Sequence, residues 1–228
     1  MALAVIGAII LIGLLLVPQL WSNALMSRHG RERHDIQYTG SEFARQLINE
    51  QNLTGVSVEL TSQGDHYDQI TKTVRLSQAN YNSRSLTAIA VAAHEVGHAI
   101  QHKEKDRRFM LRDRVVRMAT ATEHYGSFAF VAIPILALAT RSPILPAISF
   151  LIGFSSMTAT TIAHLSTLPV EMDASFNRAL PILKQGGYIK PQDERAAHKI
   201  LKAAAYTYVA ASLTSLLNVW RWLKMMRR

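Results

Sequence analysis

Hydrophobic and polar positions along this chain fall into blocks that each predict a different kind of element. Residues 1–20 carry no charged side chain and are dominated by Ala, Ile, Leu and Val, which is the length needed to span a bilayer core. Phe43, Ala44, Leu47 and Ile48 follow Thr39-Gly40-Ser41-Glu42 at helical spacing, and the Thr-x-x-Glu pattern predicts a capping box. Strict alternation over Val56-Ser57-Val58-Glu59-Leu60 predicts a half-buried strand opened by Gly55. Asp65-His66-Tyr67-Asp68 reads as a polar turn leading to a second short strand, Lys72-Thr73-Val74-Arg75-Leu76. Asn82 and Ser83 are placed to cap the long apolar helix that includes residues 90–100.

Beyond that helix, Lys103 to Arg117 holds seven basic residues against three acidic ones. From His124 to Val170 Arg141 is the one residue charged at neutral pH, histidine aside. Arg141-Ser142-Pro143 divides this block into Gly126–Thr140 and Ile144–Leu165, which predicts a hairpin of two spans with a tight turn. The first is short for a bilayer, so its start belongs nearer Met118. Pro191-Gln192-Asp193-Glu194 opens another helix after the Gly186-Gly187 break, and residues 203–220 are again uncharged, either a fourth span packed through small residues or an interfacial helix.

The fold class expected is therefore a mainly α membrane protein with a small α+β peptidase-like unit and three to four transmembrane helices. The parts are an N-terminal anchor (1–20), a cytoplasmic unit (35–117), a transmembrane hairpin (124–167), a returning segment with helices (168–200) and a C-terminal transmembrane or interfacial helix (201–228). A cleaved signal peptide is the competing reading of residues 1–20. It would want basic residues before the apolar run, whereas Arg28, Arg31 and Arg33 come after it. By the positive-inside tendency, those arginines and the basic run before the hairpin place the water-facing unit in the cytoplasm. The formal charge of +9 could also suggest nucleic acid, but no binding motif accompanies it and the aromatics are not interleaved with it. A lipid-facing collar fits the distribution better.

The chemistry centres on Ala92-Ala93-His94-Glu95-Val96-Gly97-His98-Ala99-Ile100. On a helix His94 and His98 lie on one face, a spacing that suits two nitrogen ligands of one Zn2+, with Glu95 beside them as general base. Apolar flanks imply burial, and two buried histidines beside a carboxylate need partners that a metal supplies. The chain has no cysteine, so the remaining ligand must come from His or carboxylate. His102 lies about 12 Å along the axis from His94 and cannot share the ion. The metzincin third histidine is missing too, since Gln101 and Glu104 stand in its pattern. Glu171 and Asp173, where the chain returns from the hairpin, are the candidates. His66 and Tyr67 could stabilise a developing oxyanion, or serve only as polar turn residues. His164 could orient a ligand or be simply interfacial.

Asp65-His66-Tyr67-Asp68, Thr71–Ser77, Ala92–Gln101 and Thr167-Leu168-Pro169-Val170-Glu171 together resemble the YugP-like family of bacterial neutral zinc metallopeptidases. The likeness runs over nearly the whole chain, including the closing Ala203–Ala211. It implies a membrane-bound zinc peptidase related in layout to HtpX-like proteases; with the spans and basic flanks read above, the expectation is a multi-pass protein of the bacterial inner membrane with its active site on the cytoplasmic side. The likeness implies zinc ligands at His94, His98 and Glu171, catalysis by Glu95, and protein or peptide substrates that are themselves membrane-associated. The HtpX-like pattern puts an Asp four residues after the ligand Glu, and this chain has Ser175 there; Asp173 is the substitute candidate for holding a ligand histidine. A non-catalytic, zinc-containing membrane adaptor is the alternative, weakened by the intact Glu95.

Overall fold

The computed structural model describes residues 2–140 and 142–206. The chain divides into two units. Met1–Met110 joins Pro169–Thr207 in one, and Leu111–Leu168 joins Tyr208–Arg228 in the other.

In the first unit the predicted capping box forms at Thr39. Its hydroxyl accepts from the Glu42 N–H at 3.2 Å and the Glu42 carboxylate accepts from the Thr39 N–H at 2.8 Å. This starts α2, Gly40–Glu50, which follows α1, Ala2–His29. Helix α2 buries Phe43, Ala44, Leu47 and Ile48, the four positions that its periodicity predicts.

Three strands follow: β1 at Ser57–Thr61, β2 at His66–Asp68 and β3 at Thr73–Ser77. The segment read from sequence as a turn is thus a strand. A sheet of order β1-β3-β2 results, with β1 parallel and β2 antiparallel to β3. Three polar residues give no alternation to read, and pairing with β3 is what makes them extended. Asp65 supports that geometry by accepting from the Ser77 N–H at 2.7 Å and from Asn80 Nδ2 at 2.7 Å.

A short α3, Gln78–Tyr81, leads to α4, Leu86–Lys103. Its cap is Ser85 rather than Asn82 or Ser83, with the serine oxygen accepting from the Ala88 N–H at 3.1 Å. Every residue from Leu86 to Gln101 is buried. The helix can be enclosed in this way because small side chains (five alanines and a glycine) let α2, the sheet and the segment after residue 169 close on it. That last segment is a π-helix, Asp173–Ala179, running into α7, Leu180–Gln185. After a 3₁₀ turn at Pro191–Asp193, a further helix, α8, occupies residues 194–206.

The second unit is built on α5, Arg107–Thr140, and α6, Ile144–Met172, whose first turns and last turns respectively belong to the first unit. The basic run from Arg107 onward and the first expected span are parts of one uninterrupted helix, α5. Ser156 donates to the Thr122 carbonyl at 2.9 Å, joining the two helices. Phe128, Ile135, Leu138, Leu151, Ile162 and Leu165 are exposed. Among the described residues one helical run, Ile144–Gln185, is long and apolar enough to cross a membrane, against the three to four expected. The fourth expected span lies mostly in residues 207–228, outside the described residues, and the side chain of His164 is outside them as well.

Candidate metal centre

Helix α4 aligns His94 and His98 one turn apart, with ring centroids 4.7 Å from each other. Both Nε2 atoms converge on one oxygen of Glu171. Oε2 lies 3.0 Å from His94 Nε2 and 3.3 Å from His98 Nε2. Glu171 is 0% exposed, and its other oxygen, Oε1, is buried without a hydrogen-bond partner. The three side chains form a group whose ligand atoms lie within 4.8 Å of one another.

The protons on the two rings follow from their other neighbours. Gln101 Nε2 donates to the Val170 carbonyl at 3.0 Å and to Asp173 Oδ2 at 2.8 Å. Its Oε1 therefore faces His98 Nδ1, 2.9 Å away. An amide oxygen can only accept, so His98 carries its proton on Nδ1. Ser175 Oγ donates to the Leu201 carbonyl at 3.4 Å and accepts from His94 Nδ1 at 3.0 Å. In the neutral rings both Nε2 atoms then present bare lone pairs to a carboxylate oxygen.

Acceptors facing acceptors in a buried site need something positive among them. Protonating both rings would also serve, but it would enclose two imidazolium cations 4.7 Å apart in the core. One divalent cation would satisfy the two nitrogens and the carboxylate together. Nitrogen and carboxylate donors on neutral imidazoles suit zinc.

Glu95 is 6% exposed and sits beside this group. Burial pushes its carboxyl up to about 7. The His94 ring opposes that shift, the Glu171 and Asp65 charges add to it, and the Tyr67 main-chain N–H stabilises the ionised form. The Tyr67 N–H donates from the edge strand β2, so this strand reaches the base directly.

Of the residues singled out from sequence, His94, His98, Glu171 and Glu95 are brought together. Asp173 holds neither histidine directly. It fixes the Gln101 amide and is itself gripped by Arg178 Nε at 2.9 Å and Asn177 Nδ2 at 2.8 Å. Ser175 itself occupies the place expected for an acid, against His94. The Tyr67 hydroxyl pairs with His102 Nδ1 at 3.0 Å and His66 Nδ1 with the Gly64 carbonyl at 2.9 Å.

Sequence reasoning passed over Gln101 and Ser175 as positioning residues. The signal available for Gln101 was its spacing, three residues after His98 on the same face. Gly97 is equally needed. A Cβ there would lie 3.0 Å from the Ala174 carbonyl oxygen, so a bare α-carbon is what lets the segment bearing Asp173 and Ser175 pack on α4.

Residues 4–227 match the family model described as "Putative neutral zinc metallopeptidase". The chain is 38% identical over 186 residues to the Bacillus subtilis (strain 168) protein named "Putative membrane protease YugP", a match covering 80% of this chain and 78% of that one. No solved structure matches.

Proposed function

The chain belongs to the neutral zinc metallopeptidase family, and on that premise we propose that it is a membrane-bound metalloendopeptidase that holds Zn2+ through His94, His98 and Glu171. The observation that carries this reading is the convergence of two proton-free Nε2 atoms on the buried Glu171 carboxylate. Zinc in that position supplies Lewis acidity toward a water molecule and toward the peptide carbonyl.

The remaining chemistry belongs to the chain. Glu95 takes a proton from the attacking water and returns it to the leaving amine nitrogen. A carboxyl lifted by burial is suited to both halves of that transfer. Gln101 and Ser175 hold the imidazoles with Nδ1 protonated and Nε2 free. The outer edge of β2, whose Tyr67 N–H already reaches Glu95, offers main-chain groups to an extended substrate strand.

The membrane part of the proposal rests on the relative's name, on the apolar run beginning at Ile144 and on the exposed apolar side chains of α5 and α6. The substrates proposed are membrane proteins or their segments on the cytoplasmic face, a side favoured by the positive-inside tendency of the basic residues after α1 and along the start of α5.

The rival, a non-catalytic adaptor with a structural metal, has no use for Glu95. A carboxylate buried next to Glu171 is unfavourable unless it works as a base. The test is Glu95→Gln in the purified full-length protein. It should retain zinc at the wild-type level and lose cleavage of a mixed membrane-protein pool. A variant that still cleaves at the wild-type rate rules out the assignment.

A further inference from the structure

A cavity of about 370 Å³ lies between the sheet and the C-terminal end of α4, lined by Tyr67, Ala99 and His102 among others. Its size falls within the range of small-molecule and side-chain binding sites. Leu53, Val56, Ala99 and Met110 give it apolar walls, and Lys72, Lys103 and Lys105 line it too; the Lys103 ammonium donates to the Gln51 carbonyl at 2.8 Å, which leaves Lys72 and Lys105 as the cations for a ligand. No carboxylate is among the described residues that line it.

Two of these lysines hold unusual backbone. Lys72 has φ of +52° and Lys105 has φ of +54°, the left-handed region that glycine enters freely and side chains with a Cβ rarely do. Lys105 follows α4 where its Asp106 N–H reaches the Gln101 carbonyl at 2.9 Å and its own N–H reaches that of His102 at 3.1 Å. That helix-ending pattern most often carries glycine at this position. Asn52, the remaining non-glycine residue with positive φ among the described residues, directly precedes the cavity wall at Leu53. A strained backbone kept at two lysines of one cavity points to a use for their side chains.

Tyr67 and His102 connect the cavity to the reaction centre. The Tyr67 ring lines it, with its hydroxyl on His102 Nδ1, while the N–H of the same residue reaches Glu95. His102 is one turn, about 6 Å, beyond His98 on α4. Side chains of a substrate strand lying along β2 would alternate between the sheet faces, and one of them would enter on the face that carries the Tyr67 ring.

We propose that this cavity is a specificity subsite for an acidic side chain, glutamate best, next to the bond cut. The aliphatic stem would lie on the apolar walls and the carboxylate between Lys72 and Lys105. This inference rests on the peptidase reading above.

The experiment uses full-length zinc-loaded protein in detergent and a set of short fluorescent peptides differing only in one residue: Glu, Gln or Lys. Binding is read by anisotropy on Glu95→Gln, and cleavage on the wild type. The Glu peptides should bind roughly five- to tenfold more tightly than the Lys peptides, the scale of partly exposed charge pairs. Lys72→Gly combined with Lys105→Gly should abolish that difference and melt no lower than the wild type, because glycine accepts both φ values. Cleavage of all three sets at one rate, with equal binding, overturns the subsite and leaves the peptidase reading standing. Cleavage and binding of none overturns both. A double variant that keeps its preference for Glu overturns the proposal, and if that variant also loses binding to anionic vesicles the lysines belong to a lipid headgroup instead.

Discussion

The Gln101 side chain determines which nitrogen of His98 carries the proton. Its Nε2 is committed to Val170 and Asp173, so its oxygen accepts from His98 Nδ1 at 2.9 Å and leaves Nε2 open toward Glu171. Partners of this kind typically contribute about 10–100-fold in metal affinity. Gln101→Leu should therefore weaken zinc binding by about that factor, measured by competition with a chelator. Equal affinity in Gln101→Leu and the wild type would show that the amide does not orient the ring.

Gly97 separates Glu95 from His98 in sequence and lets the Ala174 backbone approach α4. Gly97→Ala places a methyl 3.0 Å from the Ala174 oxygen, and overpacking of this kind costs about 1–3 kcal/mol. Because Ala174 lies between Asp173 and Ser175, both imidazole supports shift with it. The expected result is a lower melting temperature together with weaker zinc retention. A melting temperature at or above the wild type's would contradict the packing.

Burial holds Glu95 at about 7 against an ordinary value of 4.5. The folded state then binds that proton more tightly than the unfolded one. The linkage favours folding below pH 4.5 and is lost as pH rises to about 7, by on the order of 3 kcal/mol at most. In the presence of chelator, melting of the wild type should fall across that window relative to Glu95→Gln, which cannot ionise. Parallel curves for the two proteins would contradict the shift. Zinc beside Glu95 works against the shift, so the acid limb of activity should lie between 4.5 and about 7.

How much of this was legible in the sequence depends on how local each feature is. The capping box and the buried face of α2 rest on spacings of three and four residues, and they appear as read. His94, Glu95 and His98 are local in the same sense. Glu171 is 73 residues from His98, so spacing left it level with Asp173, and the family resemblance singled it out. The β2 strand was hidden because His66-Tyr67-Asp68 has no alternation, and only pairing with β3 extends it. Asp173, a candidate for holding a histidine, reaches Gln101 instead. The π-helix from Asp173 to Ala179 changes which side chains face α4, and no short-range pattern announces it.

The proposed topology is testable because the chain has no cysteine. A cysteine at exposed Ser62 should resist an impermeant thiol reagent in intact cells, and one at Ser142 should react. The reverse pattern would put the peptidase unit outside.

Zinc content after mild chelation, compared between Glu171→Gln and Asp173→Asn, tests the three-residue metal site most directly. Glu171 faces both imidazoles, whereas Asp173 acts through Gln101. Glu171→Gln should lose its metal, while Asp173→Asn should keep most of a full complement, weakened at most by the 10–100-fold typical of an indirect partner. A full zinc complement in Glu171→Gln, with loss in Asp173→Asn, would contradict the site described.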